Sequence, residues 1–157
     1  MGSGGSSLIL ALVFGGAAHA RCAPDTVELR GPSGVQRFSV EIADSEAERS
    51  KGLMLRDHMA ASAGMLFVYE QPKHAYFWMK DTLLPLDMVF ADATGLVTLV
   101  RSNAVPLDET PIDGGDGVAV VLEINAGLAK RMGIAPGSVL RSAALDQSVA
   151  AWRCADQ

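Results

Sequence analysis

The segment Tyr76-Phe77-Trp78-Met79-Lys80-Asp81-Thr82-Leu83-Leu84-Pro85-Leu86-Asp87 crowds aromatic, thioether, cationic and anionic groups into twelve consecutive positions. The Trp78 indole offers an apolar face for a sugar ring or a peptide side chain, and Lys80 offers a charge for an anionic group beside it. Asp81, Asp87 and the later Glu123 supply acceptors that would orient polar groups. If residues 76–80 run as a strand, Tyr76, Trp78 and Lys80 share one face and Phe77 and Met79 the other. The first set lines a cleft with Tyr76 on its rim; the second enters the core. The competing reading is structural, with Trp78 buried and Lys80 paired to Asp81 or Asp87 as an internal ion pair.

Asp87 and Glu123 both stand among apolar strand residues, where an ionised carboxylate requires a partner because unpaired desolvation costs several kcal/mol. Arg56 and Lys80 are the candidate partners. Two such carboxylates are also the residue types of a general acid and base in hydrolysis. A third chemistry comes from sulfur: five of the seven methionines, Met54, Met59, Met65, Met79 and Met88, fall within residues 54–88 together with His58 and His74. Thioether plus imidazole suits Cu(I), with His58-Met59 as the best local pair, whereas irregular core packing uses the same methionines without metal. There is no nucleophile elbow, phosphate-binding glycine loop or zinc spacing, so no resident metal or cofactor is expected.

The elements that must position these residues follow from turn and capping signals. Strands at 27–30 and 35–42 flank Gly31-Pro32-Ser33-Gly34, a hairpin turn. Ser45-Glu46-Ala47-Glu48 has the form of a capping box and predicts a short helix to about Met54. Residues 64–69 and 75–79 read as strands broken at Gln71-Pro72, and 86–90 and 96–101 as a hairpin closed by Asp92-Ala93-Thr94-Gly95. Residues 108–117, rich in Gly with one Pro, read as a surface loop. Val118-Ala119-Val120-Val121-Leu122 is apolar at every position and predicts a central strand ending on Glu123. Asn125 is placed as the cap of a helix through Met132, with Gly133 closing it, before a last strand at 138–141. Leu145, Val149 and Trp152 lie on one helical face and predict a tail helix over 143–154.

With 157 residues and 49% apolar composition the chain can bury a single core. The net charge of −5 gives no footprint for nucleic acid. The apolar run Leu8-Ile9-Leu10-Ala11-Leu12-Val13-Phe14, followed by Ala18-His19-Ala20, has signal-peptide form and predicts export to the periplasm or medium, without stable membrane insertion after its removal. The run is shorter than the ~20 residues of a bilayer span. The two cysteines, Cys22 and Cys154, are either a bridge or two free thiols. In an oxidising compartment a bridge closing roughly 130 residues would stabilise by about 4 to 5 kcal/mol on the chain-entropy model.

The ordered blocks Gly52-Leu53-Met54 with Arg56, Gly64-Met65-Leu66-Phe67, Phe77-Trp78-Met79-Lys80-Asp81-Thr82, Pro85-Leu86-Asp87, Val121-Leu122-Glu123 and Gly133-Ile134 resemble the domain of unknown function 192 family. The resemblance implies a compact β-rich domain, frequently behind an export signal, with no established reaction. Asp81 stands where that family commonly has Asn, and Ser138 where an acidic residue often follows the turn.

The expected protein is therefore a signal peptide at 1–20, an N-terminal segment at 21–34, one globular domain at 35–141 and a tail at 142–157. The expected fold is α+β, a mostly antiparallel, strongly bent sheet or barrel with two or three short helices. The expected function is a cell-envelope binding or accessory module for a small ligand, glycan or peptide, rather than a self-evident enzyme. Its site comprises Trp78, Lys80, Asp87, Glu123, Arg56 and Tyr76.

Overall fold

The structure, a computed structural model, describes residues 1–2 and 22–156; the expected signal peptide lies outside them apart from its first two residues. Seven strands form one sheet: β1 (Thr26–Gly31), β2 (Gly34–Ala43), β3 (Ala63–Phe77), β4 (Leu86–Ala91), β5 (Val97–Ala104), β6 (Ile112–Asn125) and β7 (Val139–Arg141). Two short helices, α1 (Glu46–Lys51) and α2 (Leu128–Met132), sit in the connections. The spatial order is β5-β4-β6-β3-β2-β1-β7, antiparallel throughout except for the parallel β2–β3 pair. This is the α+β, mostly antiparallel bent-sheet architecture expected, made mixed by that one parallel pair. The parallel pair arises because the 44–62 connection carries α1 back across the sheet before β3 begins.

The sheet curls into a half-barrel whose two edges touch at the bridge Leu96↔Val139. Gly95 makes that contact possible. Its φ is +84°, its carbonyl accepts the Leu140 amide at 2.7 Å, and a Cβ there would lie 2.3 Å from the Leu140 carbonyl oxygen. The concave side encloses one apolar cluster fed by all seven strands, including Val27, Phe38, Leu66, Val89, Leu122 and Leu140. The convex side of β3, β6 and β4 carries a second, with Leu53, Met65, Phe67, Met79, Met88 and Phe90, roofed by segments outside the strands.

Local signals set most elements. Ser45 Oγ accepts the Glu48 amide and Glu48 Oε2 accepts the Ser45 amide, so the capping box forms, and the helix ends at Lys51, earlier than Met54, because Gly52 leaves the helical region. Gly133, at φ +68°, closes α2. Four expectations fail for tertiary reasons. Residues 71–72 do not break the strand; β3 runs through Pro72 at an irregular stretch where pairing with β6 shifts register and no ladder amide is needed. Six of the ten residues of the expected 108–117 loop belong to β6, pulled into pairing by the far end of β3 through Phe77↔Ile112 and Tyr76↔Asp113. Asn125 does not cap α2, whose N-cap is Gly127; the ladder holds Asn125 opposite Leu86, and its amide donates to the Met59 and Ala60 carbonyls. The tail helix does not form. Residues 143–154 fold as turns, with Gln147 bonded to the Ser142 and Leu145 carbonyls and to the Cys154 amide, and Val149 facing solvent. Trp152 is buried with the guanidinium groups of Arg30 and Arg141 4.6 and 4.0 Å from its ring.

The N-terminal segment is integral to the sheet. Glu28 of β1 stands directly opposite Arg37 of β2 and Arg141 of β7, and its carboxylate bonds both, at 3.0 Å to Arg37 Nε and 2.7 Å to Arg141 Nε. Beside this row Cys22 and Cys154 are bridged, with a sequence separation of 132. Because the bridge ties the chain ahead of β1 to the tail behind β7, Cys154→Ser is expected to lower stability by about 2 to 4 kcal/mol, read as a lower denaturation midpoint with a larger m-value as the released unfolded chain expands.

Candidate functional site

Asp87 and Glu123 occupy neighbouring strands of the sheet, yet they face opposite ways. In the β4–β6 ladder Asp87 is paired with Ile124 and Met88 with Glu123, and residues directly opposite share a face. Asp87 therefore points with Ile124 into the concave core, and Glu123 with Met88 and Met65 onto the convex side. The acid–base pair expected of a hydrolase is not assembled, since the sheet itself lies between the two carboxyl groups.

Asp87 is a clasp. It is fully buried, and its oxygens accept the amides of Asn103 and Ala129, both at 2.9 Å. The first amide lies where β5 carries an extra residue against β4 and Asn103 turns to φ +58°; the second is in the first turn of α2. One side chain thus satisfies a donor freed by a bulge and a donor freed by a helix start. Neither Arg56 nor Lys80 is its partner.

Glu123 has a different environment. It is 4% exposed, and among the described residues its carboxyl makes no hydrogen bond or ion pair. Burial pushes it up to about 8 from an ordinary 4.5. It lines a cleft of about 40 Å³ whose walls include Phe67 and Phe77, packed edge to face at 5.1 Å, with Trp78, Thr82 and the Gly52-Leu53-Met54 turn. On the opposite, concave face β3 and β6 run close together: a Cβ on Gly64 would lie 2.6 Å from the Glu123 carbonyl oxygen. Arg49 and Lys51 of α1 reach the rim.

Three chain segments interlock to build the walls. The Met79 amide donates to Asp108, the Leu107 amide to Thr82 and the Leu55 amide to Asp81, so the turns around 53–56, 78–82 and 105–108 are one hydrogen-bonded unit. Asp81 sits at φ +50°, a left-handed conformation that the short side chains of Asn and Asp tolerate best. Its substitution for Asn thus preserves the turn. Ser138 likewise keeps an acceptor at its turn, its Oγ taking the Ala135 amide at 3.2 Å.

The expected site is brought together in part. Trp78, 48% exposed, stands at the cleft with Glu123. Lys80 places Nζ 5.2 Å from the Trp78 ring centroid and is not bridged to Asp81 or Asp87. Phe77 and Met79 enter the convex cluster as expected, and Tyr76 is exposed, stacked on His74 at 4.7 Å. Arg56 is engaged elsewhere, bidentate with Glu41. His58 is exposed, and Met65, Met79 and Met88 are packed in the convex core. The sequence reading missed Phe67, Phe77, Thr82 and the Gly52-Leu53-Met54 turn as cleft walls, although each belongs to a block that carried the family resemblance. Those blocks, dispersed along the chain, converge on this cleft.

The chain matches the profile of the domain of unknown function 192 family, DUF192, described as "Uncharacterized ACR", over residues 27–142. It belongs to that family. A crystal structure of a protein of unknown function from Novosphingobium aromaticivorans is similar at 43% identity and a TM-score of 0.72, covering 73% of this chain and 82% of that one. A second, named as a candidate transcription regulator from Sinorhizobium meliloti, is similar at 42% identity and a TM-score of 0.75, covering 80% of this chain and 98% of that one. No curated protein matches the chain.

Proposed function

We propose that this family member is an exported binding or accessory module of the cell envelope, and that its site is the convex cleft between Trp78 and Glu123. The observation that carries the reading is the Glu123 carboxyl, buried at the cleft without a hydrogen-bonding partner among the described residues. Among the described residues the one sealed, unpartnered side-chain polar atom is Trp152 Nε1, so the Glu123 carboxyl oxygens keep contact with the cleft and are open to a group that enters it. A cavity of about 40 Å³ admits a few waters or the tip of a side chain, so the ligand inserts one small group and rests its body on Trp78. Lys80, beside Trp78, pairs with an anionic group on that body. The disulfide and the signal-like start support an oxidising compartment. The net charge of −5 keeps nucleic acid outside the reading, whatever the relative from Sinorhizobium meliloti does.

A thermal-shift screen of the oxidised protein against peptidoglycan fragments, oligosaccharides, short peptides and Cu(I) tests this. One organic class is expected to raise the midpoint by several degrees and to lose that effect in Trp78→Ala. A shift with Cu(I) alone, surviving Trp78→Ala, would transfer the function to the methionine and histidine side chains. No shift with any of them would leave the cleft a structural feature.

A further inference from the structure

We propose, building on the cleft assigned above, that the group inserted beside Glu123 is a primary ammonium on a flexible alkyl stem, the side chain of a peptide lysine. A buried carboxylate is repaid either by amide donors, as at Asp87, or by a cation, and among the described residues no amide reaches the Glu123 carboxyl. Phe67, Phe77 and Trp78 line the same space, and aromatic walls beside a carboxyl favour ammonium groups. The protein's own cations leave the position open. Arg49 is held by the Val68 carbonyl at 2.8 Å with its guanidinium over Tyr69, Lys51 is exposed at the rim and acts on Glu41, Lys80 lies against Trp78, and no salt bridge reaches Glu123 among the described residues. The cavity of about 40 Å³ accepts an ammonium tip whose linear stem trails out past Trp78, whereas an amino sugar brings a ring directly behind its nitrogen.

Binding by this route requires the Glu123 proton to leave, because an ammonium pairs with the carboxylate. The charged and titratable groups around Glu123 are Arg49 and Lys51 from α1 and Tyr69 from β3, whose hydroxyl burial lifts above its ordinary value. Affinity is therefore expected to climb roughly tenfold per pH unit from pH 6 and to level off near pH 8.

The test is an NMR titration of the oxidised protein, read at the Trp78 indole and the Glu123 amide. The probes are Nα-acetyl-lysine methylamide, its 6-hydroxynorleucine counterpart and glucosamine. The lysine probe is expected to saturate with the stated pH dependence, to bind at least tenfold more tightly than the hydroxyl probe, and to weaken at least tenfold in Glu123→Gln. Equal binding of the hydroxyl probe, or unchanged lysine binding in Glu123→Gln, would overturn the ammonium assignment. Tighter binding of glucosamine would move it to amino sugars. If none of the three binds while a class from the thermal screen still depends on Trp78, the ammonium inference falls and the cleft stands; if that screen is also flat, both fall together.

Discussion

Asp87→Ala is expected to lower the free energy of unfolding by about 3 to 5 kcal/mol and the thermal midpoint by roughly 10 °C or more. Removing the carboxylate strands two amides, Asn103 and Ala129, each bonded to it at 2.9 Å in a site closed to water. Each stranded donor costs about 1 to 3 kcal/mol, and no neighbouring acceptor replaces either oxygen. Asp87→Asn keeps one acceptor and turns an NH₂ toward the other amide, so it is expected to fall between wild type and alanine. Native-state hydrogen exchange localises the effect: the Asn103 and Ala129 amides lose protection more than the distant β1–β2 ladder. Wild-type stability in Asp87→Ala would remove the clasp.

Glu123 produces the opposite sign. Below about pH 4.5 its carboxyl is protonated in the folded and unfolded chain alike and adds no pH dependence. Between about 4.5 and about 8 the unfolded chain has released a proton that the folded chain retains, and stability falls by about 1.4 kcal/mol per pH unit on this account. Above about 8 the folded carboxyl ionises as well and the slope vanishes. Glu123→Gln, which keeps the shape without the titration, is therefore expected to be more stable than wild type by several kcal/mol at pH 8 and by little at pH 5. Denaturant unfolding of both proteins at the two pH values measures the difference. A constant offset between them would mean that Glu123 ionises in the folded protein much as it does in the unfolded chain. Together the two variants separate a carboxyl that holds the fold from one that the fold holds at a loss, which is the distinction between clasp and binding group.

Features under short-range control are legible in the chain alone. Ser45 and Glu48 fix a helix start because both partners lie within one turn. Asp92-Ala93-Thr94-Gly95 and Gly31-Pro32-Ser33-Gly34 fix their hairpins because the turn residues alone satisfy the turn, and Gly133 ends α2 because glycine adopts its left-handed conformation freely. The apolar run at 118–122 announced an interior strand covered on both faces, whereas the two cysteines left bridge and free thiols open until the fold brought them together. Only the tertiary structure decided the rest. The 108–117 stretch lacks any strand period, and its residues from Ile112 onward become strand because the far end of β3 offers them a ladder. Asn125 has the side chain of a cap and is claimed first by pairing with Leu86. The tail has a helical stripe, but Trp152 finds its place against Arg30 and Arg141 in a chain of turns. Asp87 and Glu123 look alike in sequence, each a carboxylate among apolar neighbours. Strand register, a relation between residues 36 apart in the chain, sends one into the barrel and the other into the cleft.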